Sequence, residues 1–328
     1  MAITITIVGL GQIGASIGLA LGPHKALVYR VGHDSDIRVA RQAEKKGALD
    51  RVETNLIDAA RKADLVVLSV PLDQLRETLS LIAADLKEGA VVMDTGPIKE
   101  VVAGWVSELL PEGRHYVGLT PVINPAYLHD TDLGLDAARA DLFQGGLIAI
   151  VAPPRASSDA IKLAADLTRL LGAEALFADP LEIDGLMAAT HILPQLMAAG
   201  LLNATVDQPG WREARKVAGR AYAEASAPAV HLGNEDALLA AALLNQDNVQ
   251  RVLDSAIAAL QALRSDIARQ DKDALRARLE RARRGRDLWW KERQLGDWSN
   301  EGTPPANMPD NNKNILDRWF SLGRKTTT

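Results

Sequence analysis

Cysteine is absent from the 328 residues, which excludes disulfides, thiolate zinc sites and a cysteine nucleophile together. A dominant positive charge is missing too. The 37 Lys and Arg stand against 42 Asp and Glu, for a net charge of -5, whereas a nucleic-acid binder carries a strong basic field. No apolar run approaches the roughly 18 to 20 residues of a membrane span. The N-terminus also lacks the charged start and long apolar centre of a signal peptide. A cytoplasmic protein is expected, with no membrane and no nucleic-acid partner. Metal ligation has no pattern to rest on, because His24, His33, His115, His129 and His231 fall in expected loops or strand starts without ligand spacing. What remains is ordinary globular composition, in a chain long enough for two domains and a sizeable core.

The first half alternates two signals. Short β-branched runs, "ITITIVG", "ALVYRVGHD", "ADLVVLSVP", "AVVMDTG" and "HYVGLTP", are separated by amphipathic helical stretches. That order predicts a doubly wound parallel sheet, an α/β fold of the Rossmann type. "GLIAIVAP" and "AEALFAD", with a helix over 157–171 between them, extend the sheet. After Pro180 strand signals stop, and alanine and leucine at helical spacing continue to about Asp287. The expected organisation is a dinucleotide-binding domain over 1–178, an all-helical substrate and dimerisation domain over 179–287, and an extended Trp-rich tail over 288–328. Leu243, Val249, Val252, Leu253, Ile257, Leu260 and Leu263 make a broad apolar stripe on one long helix. The stripe fits a homodimer interface or a helix buried within its own domain. In the tail, Ile315, Leu316, Trp319 and Phe320 share a helical face, which suits a docking segment, though chain ends often fray. The basic run "RARLERARRGRDLWWKER" has acids interspersed and reads as a solvated helix face.

Gly9-Leu10-Gly11-Gln12-Ile13-Gly14 has the spacing of a dinucleotide turn. Gly9 permits the tight turn, Gly11 lets backbone approach a diphosphate, and Gly14 allows helix to pack closely on strand. The helix that starts there offers free N–H groups to an anion. The turn follows a strand and opens a helix, and Asp34 stands twenty residues beyond Gly14 at the end of the next strand. A carboxylate in that position accepts bonds from two ribose hydroxyls and repels a 2′-phosphate, so NAD is favoured over NADP. Arg38, one turn further on, could soften that preference. Ser69, Val70, Pro71, Thr95 and Gly96 end two other strands at the sheet's carboxyl edge, where ligands of parallel sheets bind. With Gly9, Gly11, Gln12, Ile13, Gly14 and Asp34 they form the expected cofactor site.

Taken in order, "IVGLGQIGASIGLAL", "ADLVVLSVP", the Asp-x-Gly-x-x-Lys of Asp94, Gly96 and Lys99, "LFQGGLIAIVAP", "LLGAEALFADPLEIDGLMAATHILPQLMA" and the late helix "LLNQDNVQRVLDSAIAALQALRSDI" resemble the prephenate dehydrogenases and their arogenate and cyclohexadienyl relatives. The likeness runs from about residue 3 to Asp287. It implies hydride transfer from a cyclohexadienol to a nicotinamide, with loss of the ring carboxylate as carbon dioxide, on the way to tyrosine. It also implies a histidine that accepts the ring hydroxyl's proton, a serine that supports it, and an arginine that grips a substrate carboxylate. This chain departs from that pattern. Thr120 stands in "VGLTPVINP" where the family has its histidine, and Pro97 holds the serine position. A threonine hydroxyl has no useful basicity at neutral pH, and a positioned general base is worth about 10² to 10⁴ in rate.

His191, in "ATHILPQ", matches a helical-domain histidine of the family, with one residue inserted before Pro194. An imidazole of ordinary pKa near 6.5 suits proton transfer, with Thr120 as a relay; a core histidine is the plainer reading. Lys99 would meet a substrate carboxylate as a point charge, or simply sit exposed on its helix. Arg215 and Arg220 are the candidates for the arginine. Two other functions stay open: a dehydrogenase of another small hydroxy acid, and a non-catalytic NAD-binding regulatory protein.

Overall fold

The computed structural model describes residues 2–154, 156–232 and 235–296. The first half winds β1 (Ile3–Val8), α1 (Gln12–Ala20), β2 (Val28–His33), α2 (Ile37–Lys45), β3 (Arg51–Val52), α3 (Leu56–Arg61), β4 (Leu65–Leu68), α4 (Leu72–Ile82) and β5 (Val91–Asp94). It continues with α5 (Glu100–Leu109), β6 (His115–Val122), β7 (Leu147–Val151), α6 (Ser158–Leu170) and β8 (Glu174–Ala178). These strands form one eight-stranded sheet in the order β3-β2-β1-β4-β5-β6-β7-β8. All neighbours are parallel except β6 and β7, where Thr120 pairs with Ala149 in an antiparallel register. That single reversal needs no crossover helix, so an irregular loop over 123–146 suffices to join the two strands.

Alternation along β1 shows why the sheet takes helices on both faces. Ile3, Ile5 and Ile7 enter one core with Ile17 of α1, Ala43 of α2 and Leu163 of α6. On the opposite face Val66 and Leu68 meet Leu75 and Leu79 of α4 and Val102 of α5. Strands covered on both sides must be apolar on both sides, which explains their continuous Val, Ile and Leu runs. The short β3 and α3 carry too few residues for a periodic signal. Asn55 starts α3 by accepting the Asp58 N–H at 3.0 Å.

The second half is helical, with no strand among the described residues after Ala178. It comprises α7 (Pro180–Met187), a π turn (Ala188–Ile192), α8 (Leu193–Thr205), α9 (Trp211–Val217), α10 (Arg220–Ser226), α11 (Glu235–Leu244), α12 (Gln246–Ala268) and α13 (Lys272–Leu295). Ala188, Ile192, Ala241, Val249 and Val252 complete the core behind α4 and α5. The helical half is thereby seated over one face of the sheet. On α12 the expected stripe divides: Val249 and Val252 are buried, whereas Ile257 and Leu260 are exposed.

Two expectations need correction. The continuous helical stretch Pro180–Thr205 is 26 residues long and, by length and composition alone, apolar enough to cross a membrane. Thr190, His191, Gln195 and Asn203 interrupt its apolar run in sequence, but Leu, Ala and Met keep its average apolar. Residues 288–295, expected to open an extended tail, are instead the end of α13, which runs to Leu295 and is closed by Gly296 at φ +62°. Trp289 and Trp290 are therefore helical, and the Trp290 ring lies 5.1 Å from that of His129. Trp298, Ile315, Leu316, Trp319 and Phe320 lie outside the described residues.

Candidate active site

The β1–α1 turn is shaped by contacts that only glycine tolerates. Gly9 has φ +87°, and a Cβ there would stand 2.4 Å from the Ser69 carbonyl oxygen. A Cβ on Gly14 would stand 2.0 Å from the Gly9 oxygen, so this glycine brings α1 against the turn. At Gly11 the same construction meets nothing within 4 Å. The space above Gly11 is an open cradle. No side chain caps the N-terminus of α1, and its first turn holds no acid, so its free N–H groups and dipole favour an anion. Asp34 closes the far side: its Oδ2 accepts the Leu10 N–H at 2.8 Å and its Oδ1 the Asp36 N–H at 2.9 Å. The carboxylate fixes the turn and keeps lone pairs for a ribose. These features fit a dinucleotide.

A cavity of about 850 Å³ runs from this cradle to the helical half. It gathers Gly9, Gly11, Ile13, Asp34, Ser69, Val70, Pro71, Thr95, Gly96 and His191. Thr95 Oγ1 donates to Ser69 Oγ at 3.2 Å, which ties the ends of β4 and β5 together. Gln12 is turned away, with its Nε2 3.5 Å from the Ala137 oxygen, and Gly14 is buried behind the turn. Gln74 and Thr78, one turn apart on α4, and Leu238 and Ala241 of α11 also line the cavity. The α4 pair could have been found by its spacing just beyond "SVP". The α11 residues carried no local signal, because the second core alone brings them there.

Lys99 and Thr120 do not line the cavity. Lys99 is 1% exposed, and its Nζ donates to Asp94 Oδ1 at 2.6 Å and to the Gly96 oxygen at 2.8 Å. It is neither an exposed lysine nor open to a substrate. Tyr116 donates to Asp94 Oδ2 at 2.6 Å. From α7, Asp184 reaches across and accepts the Lys99 N–H at 2.6 Å and the Glu100 N–H at 3.1 Å, capping α5. Burial pulls the Lys99 ammonium below its ordinary value against the attraction of Asp94, and pushes the Tyr116 hydroxyl and the Asp184 carboxyl up. This network joins the two halves, and no sequence motif announced Asp184. Thr120 is 3% exposed on β6, and its hydroxyl has no hydrogen-bond partner. Its cross-strand partner Ala149 packs against Ile183, which places it in the sheet's interior.

His191 occupies the π turn between α7 and α8. There the Leu193 N–H reaches back five residues to the Ala188 oxygen. A π turn accommodates one extra residue within a helix, and such bulges recur at functional sites. The turn presents Thr190 and His191 to the cavity, and the first turn of α8 adds Pro194 and Gln195. Arg215 and Arg220 are exposed on α9 and α10, with Arg220 paired to Glu224, and neither lines the cavity.

A glycine cradle at one end of a cavity, an acid at the second strand's end and a helical half over the other end define a two-domain, dinucleotide-dependent oxidoreductase. Two family models match in succession: the prephenate dehydrogenase nucleotide-binding domain over residues 17–176 and the prephenate dehydrogenase dimerization domain over 179–281. The chain belongs to the prephenate dehydrogenase family. The first match begins beyond the glycine turn, so that turn stands on its own geometry. Cyclohexadienyl dehydrogenase of Zymomonas mobilis is 28% identical over 86% of this chain and 94% of its own. Prephenate dehydrogenase of Bacillus subtilis is 26% identical over 62% of this chain, which spans about half (53%) of that relative's length. Among solved structures, the prephenate dehydrogenase of Aquifex aeolicus, in complex with hydroxyphenyl propionate and NAD+, shares the fold. Its TM-score is 0.78 at 20% identity, covering 88% of this chain and 98% of that one.

Proposed function

We propose that the protein is an NAD-dependent dehydrogenase of the prephenate and arogenate type, acting as a cytoplasmic homodimer joined through its helical half. The observation that carries the reading is the cavity joining the glycine cradle to His191 within a chain that matches both family domains in order. The cradle over Gly11 and the N-terminus of α1 would hold the diphosphate, and Asp34 the adenosine ribose. Ser69, Val70, Pro71, Thr95 and Gly96 would shape the nicotinamide end. Bound NAD would supply the hydride acceptor. His191 takes the ring hydroxyl's proton, Thr120 being held away from the cavity. Lys99 and Thr120 then act on the site only as supports: Lys99 holds the Gly96 carbonyl, and Thr120 fills the strand beneath. The exposed Ile257 and Leu260 of α12, and the dimerization description of the matching domain, support the homodimer.

One feature favours a second substrate. A relative 35% identical over 80 residues is the 4-amino-4-deoxyprephenate dehydrogenase of Streptomyces pristinaespiralis. Once its ammonium has given a proton to solvent, the amine can push out the hydride with its own lone pair, and no further proton has to leave nitrogen, so such a ring asks less of a histidine at the Thr120 position.

The test is growth of reduced-nicotinamide absorbance with prephenate, with arogenate and with the 4-amino analogue. Turnover of either alcohol supports the first reading, and turnover of the amine alone supports the second. No turnover of any of the three, by folded protein that binds NAD, refutes both. His191→Asn is expected to lower turnover of the alcohols by about 10² to 10⁴, and an unchanged rate removes His191 from proton transfer.

A further inference from the structure

The adenosine end of the site holds a second acid that coenzyme recognition has not yet used. Sites that take a 2′-phosphate offer it a guanidinium near the end of the second strand. This chain has one in place, Arg38, in the first turn of α2 and four residues beyond Asp34. The guanidinium lies open to solvent but is paired. Its Nε lies 3.1 and 3.2 Å from the two carboxylate oxygens of Asp36, and its Nη2 lies 2.8 Å from Oδ2. The same carboxylate caps α2 by accepting the Arg38 N–H at 2.8 Å. One side chain therefore neutralises both positive features of this corner, the helix N-terminus and the arginine.

Backbone geometry holds it there. Asp34 Oδ1 accepts the Asp36 N–H, which ties the Asp36 main chain to Asp34; Asp34 and Ser35 line the cavity and Asp36 follows directly after them. The Arg38 hydrogen bond holds the Asp36 carboxyl down at about 2, so it is charged at any working pH. A ribose with free hydroxyls can donate to Asp34 undisturbed. A 2′-phosphate would face two anions and an arginine already engaged.

We propose that Asp36 is a specificity-determining residue for the coenzyme, excluding NADP by holding Arg38 and adding its own charge beside Asp34. This rests on the NAD reading above. Asp36→Asn keeps an equally good helix cap and removes only the charge. The experiment is calorimetric titration of the full-length protein with NAD+ and with NADP+ at one fixed low salt concentration. It compares wild type, Asp36→Asn, and Asp36→Asn combined with Arg38→Ala.

The single variant is expected to bind NADP+ about tenfold more tightly, with NAD+ affinity unchanged within about twofold. The double variant is expected to give that gain back. Intact NAD+ binding with an unchanged NADP+ to NAD+ ratio in Asp36→Asn overturns the proposal. A gain that survives loss of Arg38 overturns the arginine's part in it. Wild-type protein that binds neither nucleotide overturns the NAD reading itself, and this inference with it.

Discussion

Replacing Lys99 with Met tests whether the buried network holds the two halves together. Asp94 is wholly buried and receives three donors: Lys99 Nζ at 2.6 Å, the Gly96 N–H at 2.8 Å and the Tyr116 hydroxyl at 2.6 Å. Methionine fills most of the lysine's volume but removes the charged one of these three donors, and a carboxylate is left in the interior with two neutral donors. Breaking a buried pair from one side costs about 3 to 5 kcal/mol. Since two donors remain, the lower end, about 3 kcal/mol, is expected. Asp94→Asn strands the ammonium and is expected to cost a similar amount, whereas the double variant removes both charges and recovers much of the loss. Urea unfolding of the four proteins, followed by far-UV circular dichroism, completes the cycle. Lys99→Met within about 1 kcal/mol of wild type, or strictly additive single losses, would refute the reasoning.

The same lysine has a pH signature. Burial sets its folded pKa below the unfolded value near 10.5. Between those two values the unfolded chain binds more protons, so wild-type stability rises with pH in that window. Tyr116 is raised in the folded state and contributes the opposite slope only near and above pH 10. The rise is therefore read below pH 10, and Lys99→Met should lack it.

Three further outcomes follow from other contacts. Gly14→Ala, whose Cβ would stand 2.0 Å from the Gly9 oxygen, should cost more than about 2 kcal/mol in urea unfolding. Gly11→Ala meets open space, so it should fold within about 0.5 kcal/mol of wild type yet bind NAD+ about tenfold more weakly by calorimetry. Asp266 joins α12 to α13 by accepting from Arg278 and Arg269, and the Arg278 hydrogen bond holds its pKa below the usual value. Its contribution is complete above about pH 4 and is lost as pH falls through the lowered value, so the melting-temperature gap to Asp266→Asn should narrow in acid.

The strands of the first half were legible because each is a short β-branched run ended by Gly, Pro or Asp, and periodicity is local information. The cradle was legible for the same reason: Gly9, Gly11, Gly14 and Asp34 lie within one βαβ unit, where spacing along the chain determines spacing in space. Lys99 was misread because a lysine one turn into a helix looks solvent-facing. Only the approach of Asp94 and the Gly96 carbonyl turns its side chain inward, while Asp184, from 85 residues away, holds its main-chain N–H. Thr120 was misread because alternation tells which residues share a face of a strand but not what covers that face. His191 shows the division most clearly. Its identity was written in the chain, but the packing that sets it opposite the glycine cradle was not. That place depends on Ala188, Ile192, Ala241 and Val252 packing behind α4 and α5. Such long-range burial is non-directional and leaves no periodic trace in the sequence.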